Sequence, residues 1–358
     1  MEPPWRSHMS SVFIFMAAVI FISSHYFVTT AVTDVEQKFK LFIKKYQKPY
    51  KIGSEEYYKR LKIFQDSLKK HHHLNSLRTS NHSAIYGVTK FSDLTDEEFI
   101  AQYLDDTKKP LKHHLLKSQG GYVKNTQKQT TDHSYKSFEP QKWDWRTDWK
   151  WPVITKVKNQ RSCGGCWAFS SVESVETMYA IKTKDLRDLS VQQVIDCAAY
   201  GNFGCRGGDT CHALYWMKLT RTPLVTDQEY PLTDTSDFCK IEPNATKGVS
   251  LTDYTCDKFI NHGQSTEGQM VSMLLNGPLT ISVDATSWKD YLGGIIQYHC
   301  YNFNNHAVQI IGYDLTGPVP YFIIRNSWGD DFGLNGYIHI RIGNNVCGVA
   351  EEVSSIQV

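Results

Sequence analysis

The chain has 358 residues, 41% of them hydrophobic and 21% charged, which is too long for one small core and too apolar for a disordered chain. Its net charge of +2, with no basic arm and no aromatic–basic stripe, argues against nucleic acid as a partner. Nine cysteines, all after residue 162, imply in an oxidising compartment one thiol left over.

In chain order, Arg6 precedes eleven uninterrupted apolar residues, Val12 to Ile22, and Thr29 and Ala31 then stand where a signal peptidase accepts small residues. Residues 1–31 thus read as a signal peptide. The alternative is an uncleaved anchor, but the apolar run is short for the ~20 residues of a span. A secretory route permits disulfides, and two sequons, at Asn81 and Asn244, agree with it as glycosylation sites.

Residues 32–105 carry no cysteine and read as helical. Phe39, Phe42 and Tyr46 share one face before Pro49, and Tyr57, Leu61, Phe64 and Leu68 repeat at helical steps. Thr95 and Glu98 form a capping box for a third helix. His71, His72 and His73 point in different directions on a helix and do not converge on a metal ion. Residues 106–138 are rich in Lys, Gln, Thr and His and read as an extended linker.

From Trp143 the chain turns aromatic and glycine-rich. Ala168, Val172, Val175 and Tyr179 predict a helix that starts at or near Cys166. Later, LTISV, AVQIIGY and YFIIRNSW predict strands. The pair Cys163-Gly-Gly-Cys166 lacks the βαβ setting of a redox motif and the second ligand pair of a zinc site. One structural half-cystine beside one reactive thiol remains. A reactive thiol needs a base, an orienter and oxyanion donors, for which His306, Asn326 and Gln160 are candidates.

The blocks NQRSCGGCWAFS, NHAV and NSWG, in this order, resemble the motif blocks of papain-like cysteine peptidases from about Trp143 to the C-terminus. Gly165 replaces the serine or alanine usual there. Three further segments, LSVQQVIDC, SWKDYLGGIIQYHC and NVCGVAEEVSSIQV, extend the likeness to one subfamily.

The resemblance implies an α+β fold with a helical left domain, an antiparallel β-barrel-like right domain and an active-site cleft between them, over residues 139–358. It implies Cys166 as nucleophile, His306 as its ion-pair partner, Asn326 as orienter, Gln160 as oxyanion donor and Trp328 as a shield. Phe332 stands where a second tryptophan is usual, which predicts looser packing. It also implies the bridges Cys163–Cys205, Cys197–Cys239 and Cys300–Cys347. Parity alone suggests a fourth, Cys211–Cys256.

Glu56, Arg60, Phe64, Asn75, Gly87, Phe91 and Asp93 match a propeptide pattern of the family, with Ser67 and His71 replacing its usual Asn and Ile and Thr89 replacing an Asn. Residues 32–105 therefore read as a helical inhibitory prodomain. Charging the histidines of the prodomain and linker, 71–73, 82, 113, 114 and 133, on acidification is expected to help loosen the prodomain, the alternative being that they form only solvated polar faces.

Gly207 and Gly208 match glycines that pair with an extended substrate. Thr210, Ser282, Ala307 and Glu352 are expected around the pocket for the residue two before the scissile bond, with Glu352 letting it accept arginine as well as apolar side chains. The expected protein is a lysosomal or secreted cysteine endopeptidase made as a zymogen and monomeric. It uses no cofactor or metal and acts on proteins and peptides. Its inhibitors would be its own prodomain and cystatin-type proteins. The alternatives are a catalytically weak homologue serving as a peptide-binding or inhibitory module, and a membrane-anchored interaction protein.

Overall fold

The computed structural model describes residues 34–105, 140–242, 246–257, 264–298, 300 and 303–358. The expected leader, the linker 106–138 and Asn244 lie outside the described residues, as do His113, His114 and His133. No helix among the described residues is long and apolar enough to cross a membrane.

The chain divides into two compact units, residues 1–70 and 71–358. In the first, helix α1 (34–45) and the start of α2 (Glu55–Ser76) pack around an aromatic knot. Phe39 lies 5.3 Å from both Tyr57 and Phe64, and Phe42 lies 5.0 Å from Phe64. Arg60 holds Glu56 one turn back at 2.6 Å.

The buried stripe of α2 differs from the expected one. Leu61 and Leu68 are only half-buried, and the stripe runs through Tyr57, Phe64, Ser67, His71 and Leu74. At 3.6 residues per turn a stripe drifts across a helix of 22 residues, and here it drifts onto the polar positions Ser67 and His71. In the second unit His71 Nε2 lies 2.8 Å from Asp290 Oδ1, both side chains buried. His72, His73 and His82 are exposed.

The second unit begins with the last turn of α2, strand β1 (Ile85–Tyr86) and helix α3 (Asp96–Tyr103). The expected capping box forms: Glu98 N–H donates to Thr95 Oγ1 at 3.1 Å and Thr95 N–H to Glu98 Oε2 at 3.0 Å. A helical half follows, with α4 (Cys166–Thr183), α5 (Val191–Cys197) and α6 (Thr210–Thr220). Helix α4 is buried over most of its circumference because it lies between this half and a sheet.

The sheet half comprises β2 (Lys142–Asp144), β3 (Asp253–Asp257), helix α7 (Gln264–Met273), β4 (Leu279–Val283), β5 (Tyr291–Gly293), β6 (Ile295–Ile296), β7 (His306–Asp314), β8 (Tyr321–Arg325), β9 (Tyr337–Arg341) and β10 (Val353–Gln357). Strand order is β3-β10-β4-β7-β8-β9-β6, with β2 also on β7 and β1 paired separately with β5. All pairings are antiparallel except β6 with β9.

Each half has its own core. Trp167, Phe169, Val172, Val194, Leu214 and Met217 fill the helical one, and Ile281, Val308, Ile310, Phe322, Ile324 and Ile338 fill the sheet one. Tyr86, Phe91, Leu94, Phe99, Ile100 and Leu104 join the sheet core, so residues 84–104 are built into this unit by apolar burial.

Four disulfides join Cys163–Cys205, Cys197–Cys239, Cys211–Cys256 and Cys300–Cys347, and Cys166 stays outside them.

Candidate active site

Cys166 opens α4. Its N-cap, Gly165, offers no side-chain cap, so the first N–H groups of the helix remain available to another acceptor. The Cys163–Cys205 bridge and the bond from Gly164 N–H to Cys205 O, 2.8 Å, hold the loop before it. Gly164 has to be glycine: a Cβ there would lie 2.7 Å from Cys205 O and 3.1 Å from Leu104 O. The positive end of the helix dipole lies at the thiol and favours its anionic form.

His306 is the first residue of β7, and Asn326 directly follows β8. Antiparallel pairing of these strands brings the two side chains together, 2.8 Å from His306 Nε2 to Asn326 Oδ1. Asn326 Oδ1 also accepts from Ser327 N–H at 2.9 Å, which sets the amide orientation. The imidazole therefore carries its proton on Nε2, and its Nδ1 has no hydrogen-bond partner. Burial pushes the imidazole down to about 4, opposed only in part by the Asn326 bond. Trp328 lies 4.8 Å from the His306 ring and shields this pair from water.

Gln160 is fully buried. Its Oε1 accepts from Ser327 Oγ at 2.6 Å, and its Nε2 donates to Cys163 O at 2.8 Å and to Tyr103 O at 2.9 Å. The last acceptor belongs to the α3 segment. Asp105 continues that segment with a bond from its N–H to Asn305 O, 2.8 Å, beside His306. Gly207, at φ +133°, has no Cβ, and one there would collide with the Asp105 carboxylate.

Cys166, Gly208, Thr210, Ser282, His306, Ala307 and Glu352 line one cavity together with Asp105. Its volume is about 10 Å³, room for about one water. All four residues expected around the selective pocket are thus brought together with Cys166 and His306. Thr210 Oγ1 reaches Glu352 Oε1 at 3.5 Å.

Asn81 sits in an exposed turn. Phe332, expected to leave loose packing, is buried 4.8 Å from Trp328 and 5.7 Å from Phe91, whose ring fills the space. Phe99 also stands edge-on to Trp328 at 5.3 Å, and Lys90 Nζ reaches Trp328 O at 2.5 Å and Asp331 at 2.7 Å.

Sequence reasoning missed Tyr103, Asp105, Asn305 and Ser327. Three of these act through backbone atoms, which carry no side-chain signature. Ser327 stood inside the NSWG block and could have been read as the partner of Gln160.

The chain belongs to the papain family of cysteine proteases: the model of that family matches residues 139–357, and the cathepsin propeptide inhibitor domain matches residues 39–99. It is thus a cysteine protease made as a zymogen, with its own prodomain as inhibitor. Within that class it is similar to cathepsin O of Homo sapiens, 46% identical over 82% of this chain and 86% of that protein. It is also similar to the viral cathepsin of Adoxophyes honmai nucleopolyhedrovirus, at 34% over 90% and 91%. Among solved structures, a recombinant stem bromelain precursor superposes with a TM-score of 0.73 at 28% identity, covering 91% of this chain and 99% of that one. Digestive procathepsin L2 from Tenebrio molitor larval midgut gives 0.72 at 30% identity, covering 90% and 100%.

Proposed function

We propose that this protease is an endopeptidase in which Cys166 is the nucleophile and His306 the acid–base. The observation that carries this is the His306–Asn326 bond, which leaves Nδ1 as the basic nitrogen of a ring that shares a cavity with Cys166. The Cys166 proton passes to His306 Nδ1, and the thiolate attacks the substrate carbonyl carbon. The resulting oxyanion accepts hydrogen bonds from Gln160 Nε2 and Cys166 N–H. His306 then protonates the departing amine, leaving a thioester on Cys166. Water, deprotonated by His306, hydrolyses the thioester and restores the thiol.

In the zymogen, burial disfavours the charged imidazole and Tyr103 O occupies the Gln160 donor, so the oxyanion site is filled. Departure of the α3 segment hydrates the ring and frees the donor.

Substrate would lie extended against Gly207 and Gly208. The side chain two before the scissile bond would enter the pocket of Thr210, Ser282, Ala307 and Glu352, where the carboxylate accepts arginine. A route through the secretory pathway, to lysosomes or outside the cell, is supported by the leader-like N-terminus and the four disulfides. Glycans on Asn81 and Asn244, inhibition by cystatin-type proteins and a monomeric state complete the proposal. The domain limits are 32–105 for the prodomain and 139–358 for the protease.

The test incubates purified zymogen at pH 4–7 beside Cys166→Ser, following chain size and cleavage of peptides varied two residues before the bond. Maturation and turnover in the parent alone are expected. Equal turnover by Cys166→Ser would overturn the assignment.

A further inference from the structure

Three of the four disulfides stay within one half of the protease. Cys163–Cys205 and Cys197–Cys239 lie in the helical half, and Cys300–Cys347 lies in the sheet half. Cys211–Cys256 alone crosses between them, from the second residue of α6 to β3. It passes beside the cavity lined by Thr210, Ser282, Ala307 and Glu352, with Cys211 next to Thr210 in sequence.

The neighbours of the bridge make the connection specific. Cys211 follows Thr210, a pocket residue, and the two lie at the N-terminus of α6 under the Asp209 cap, whose carboxylate accepts Cys211 N–H at 2.8 Å. Cys256 pairs in register with Ser354 of β10, two residues beyond Glu352. Cys211 Sγ lies 3.9 Å from Glu352 Oε1, and Ser354 Oγ lies 3.8 Å from Cys211 Sγ and 3.2 Å from Cys256 Sγ.

The backbone of Glu352 is anchored separately, its carbonyl accepting Ser282 N–H at 3.1 Å. The far end of α6 is tied to the sheet by Lys218, which reaches Thr252 O and Asp253. Loss of the bridge therefore frees the pocket end of α6 and leaves its far end held.

We propose that Cys211–Cys256 is a positioning cross-link that sets the separation of the Thr210 and Glu352 walls and so determines which side chain the pocket selects. This rests on the assignment of that pocket to the substrate. A carboxylate discriminates for a cationic side chain only while its distance and direction are held, and a wall free to shift by about 1 Å forfeits that advantage. An apolar side chain, bound without directional bonds, tolerates the same movement.

The experiment compares kcat/KM for peptides bearing Arg or Leu two residues before the scissile bond in four mature enzymes: parent, C211A/C256A, Glu352→Ala, and the triple variant. C211A/C256A is expected to lower the Arg:Leu ratio about tenfold, the size of one charged hydrogen bond. The change should appear in KM for the Arg peptide, with the Leu peptide within about twofold. In the bridgeless background Glu352→Ala should then change the ratio little.

An unchanged ratio in C211A/C256A, where Glu352→Ala alone lowers it, would overturn the role of the bridge and leave the pocket assignment standing. An unchanged ratio in Glu352→Ala would overturn both. C211V/C256A, which restores more of the lost volume, serves if the first variant does not fold. C197A/C239A, which removes a bridge within the helical half, should leave the ratio at the parent value, and an equal fall there would refute the proposal.

Discussion

Glu173, on the face of α4 toward the sheet, should contribute more to stability in acid than at neutrality. Its side chain is 1% exposed and that of Arg325 0%, yet Arg325 Nη2 stands 3.5 Å from Glu173 Oε1, too far for a strong bond. Arg325 donates instead to Thr155 Oγ1 at 2.8 Å and Lys156 O at 2.5 Å. Glu176, one turn on, takes the better partners, with Leu189 N–H at 2.7 Å, Thr155 Oγ1 at 2.6 Å and Lys158 at 3.0 Å.

Burial therefore raises the Glu173 carboxyl from 4.5 to about 7, against the pull of Arg325. The folded state holds a proton that the unfolded chain releases above its ordinary value. The stabilisation is complete below pH 4.5 and is lost as pH rises through 7. At about 1.4 kcal/mol per pH unit, this amounts to roughly 3 kcal/mol.

Glu173→Gln is neutral at every pH and should flatten that slope. The assay is urea unfolding at pH 4.5, 6 and 7.5 in a Cys166→Ala background, which prevents self-digestion. The Gln variant should lie within about 1 kcal/mol of the parent in acid and match or exceed it at pH 7.5. A loss of about 3–5 kcal/mol at pH 7.5, with the parental slope retained, would show an ionised Glu173–Arg325 pair and refute the reasoning.

Gln160→Ala should lower kcat of the mature enzyme about 10²–10³-fold with little change in KM, since its amide is proposed to act on the oxyanion and not on the ground-state substrate. A loss confined to KM would contradict that. Asp290→Asn, which removes the carboxylate 2.8 Å from buried His71, should speed processing of the zymogen at pH 5. Equal processing rates at pH 5, read by gel, would remove this contact from control of activation.

What was legible in the sequence was what is local or carried by side chains at motif spacing. The Thr95–Glu98 capping box needs only four consecutive residues, and the helix beginning at Cys166 announces itself by its apolar period. The β7 and β8 runs were visible, while the pairing of His306 with Asn326 came from the resemblance to the family. The drift of the α2 stripe onto Ser67 and His71 was not legible, because what makes a buried histidine tolerable is Asp290, far along the chain. Phe332 suggested a gap when read against its own segment, whereas the side chain that closes the gap, Phe91, comes from the propeptide. Parity suggested a Cys211–Cys256 bridge. It said nothing of where that bridge lies, which depends on how β3 is laid beside β10.

The bond from Gln160 Nε2 to Tyr103 O couples two properties that would otherwise vary independently. The donor that quiets the zymogen is the donor proposed to speed the reaction, and it serves one acceptor or the other. A substitution that strengthens catalysis by sharpening this donor also tightens the hold of the propeptide, and one that blunts it loosens both. On the proposed role of Gln160, latency and catalytic power in this chain rise and fall together, which limits how far a leaky zymogen can also be a fast enzyme.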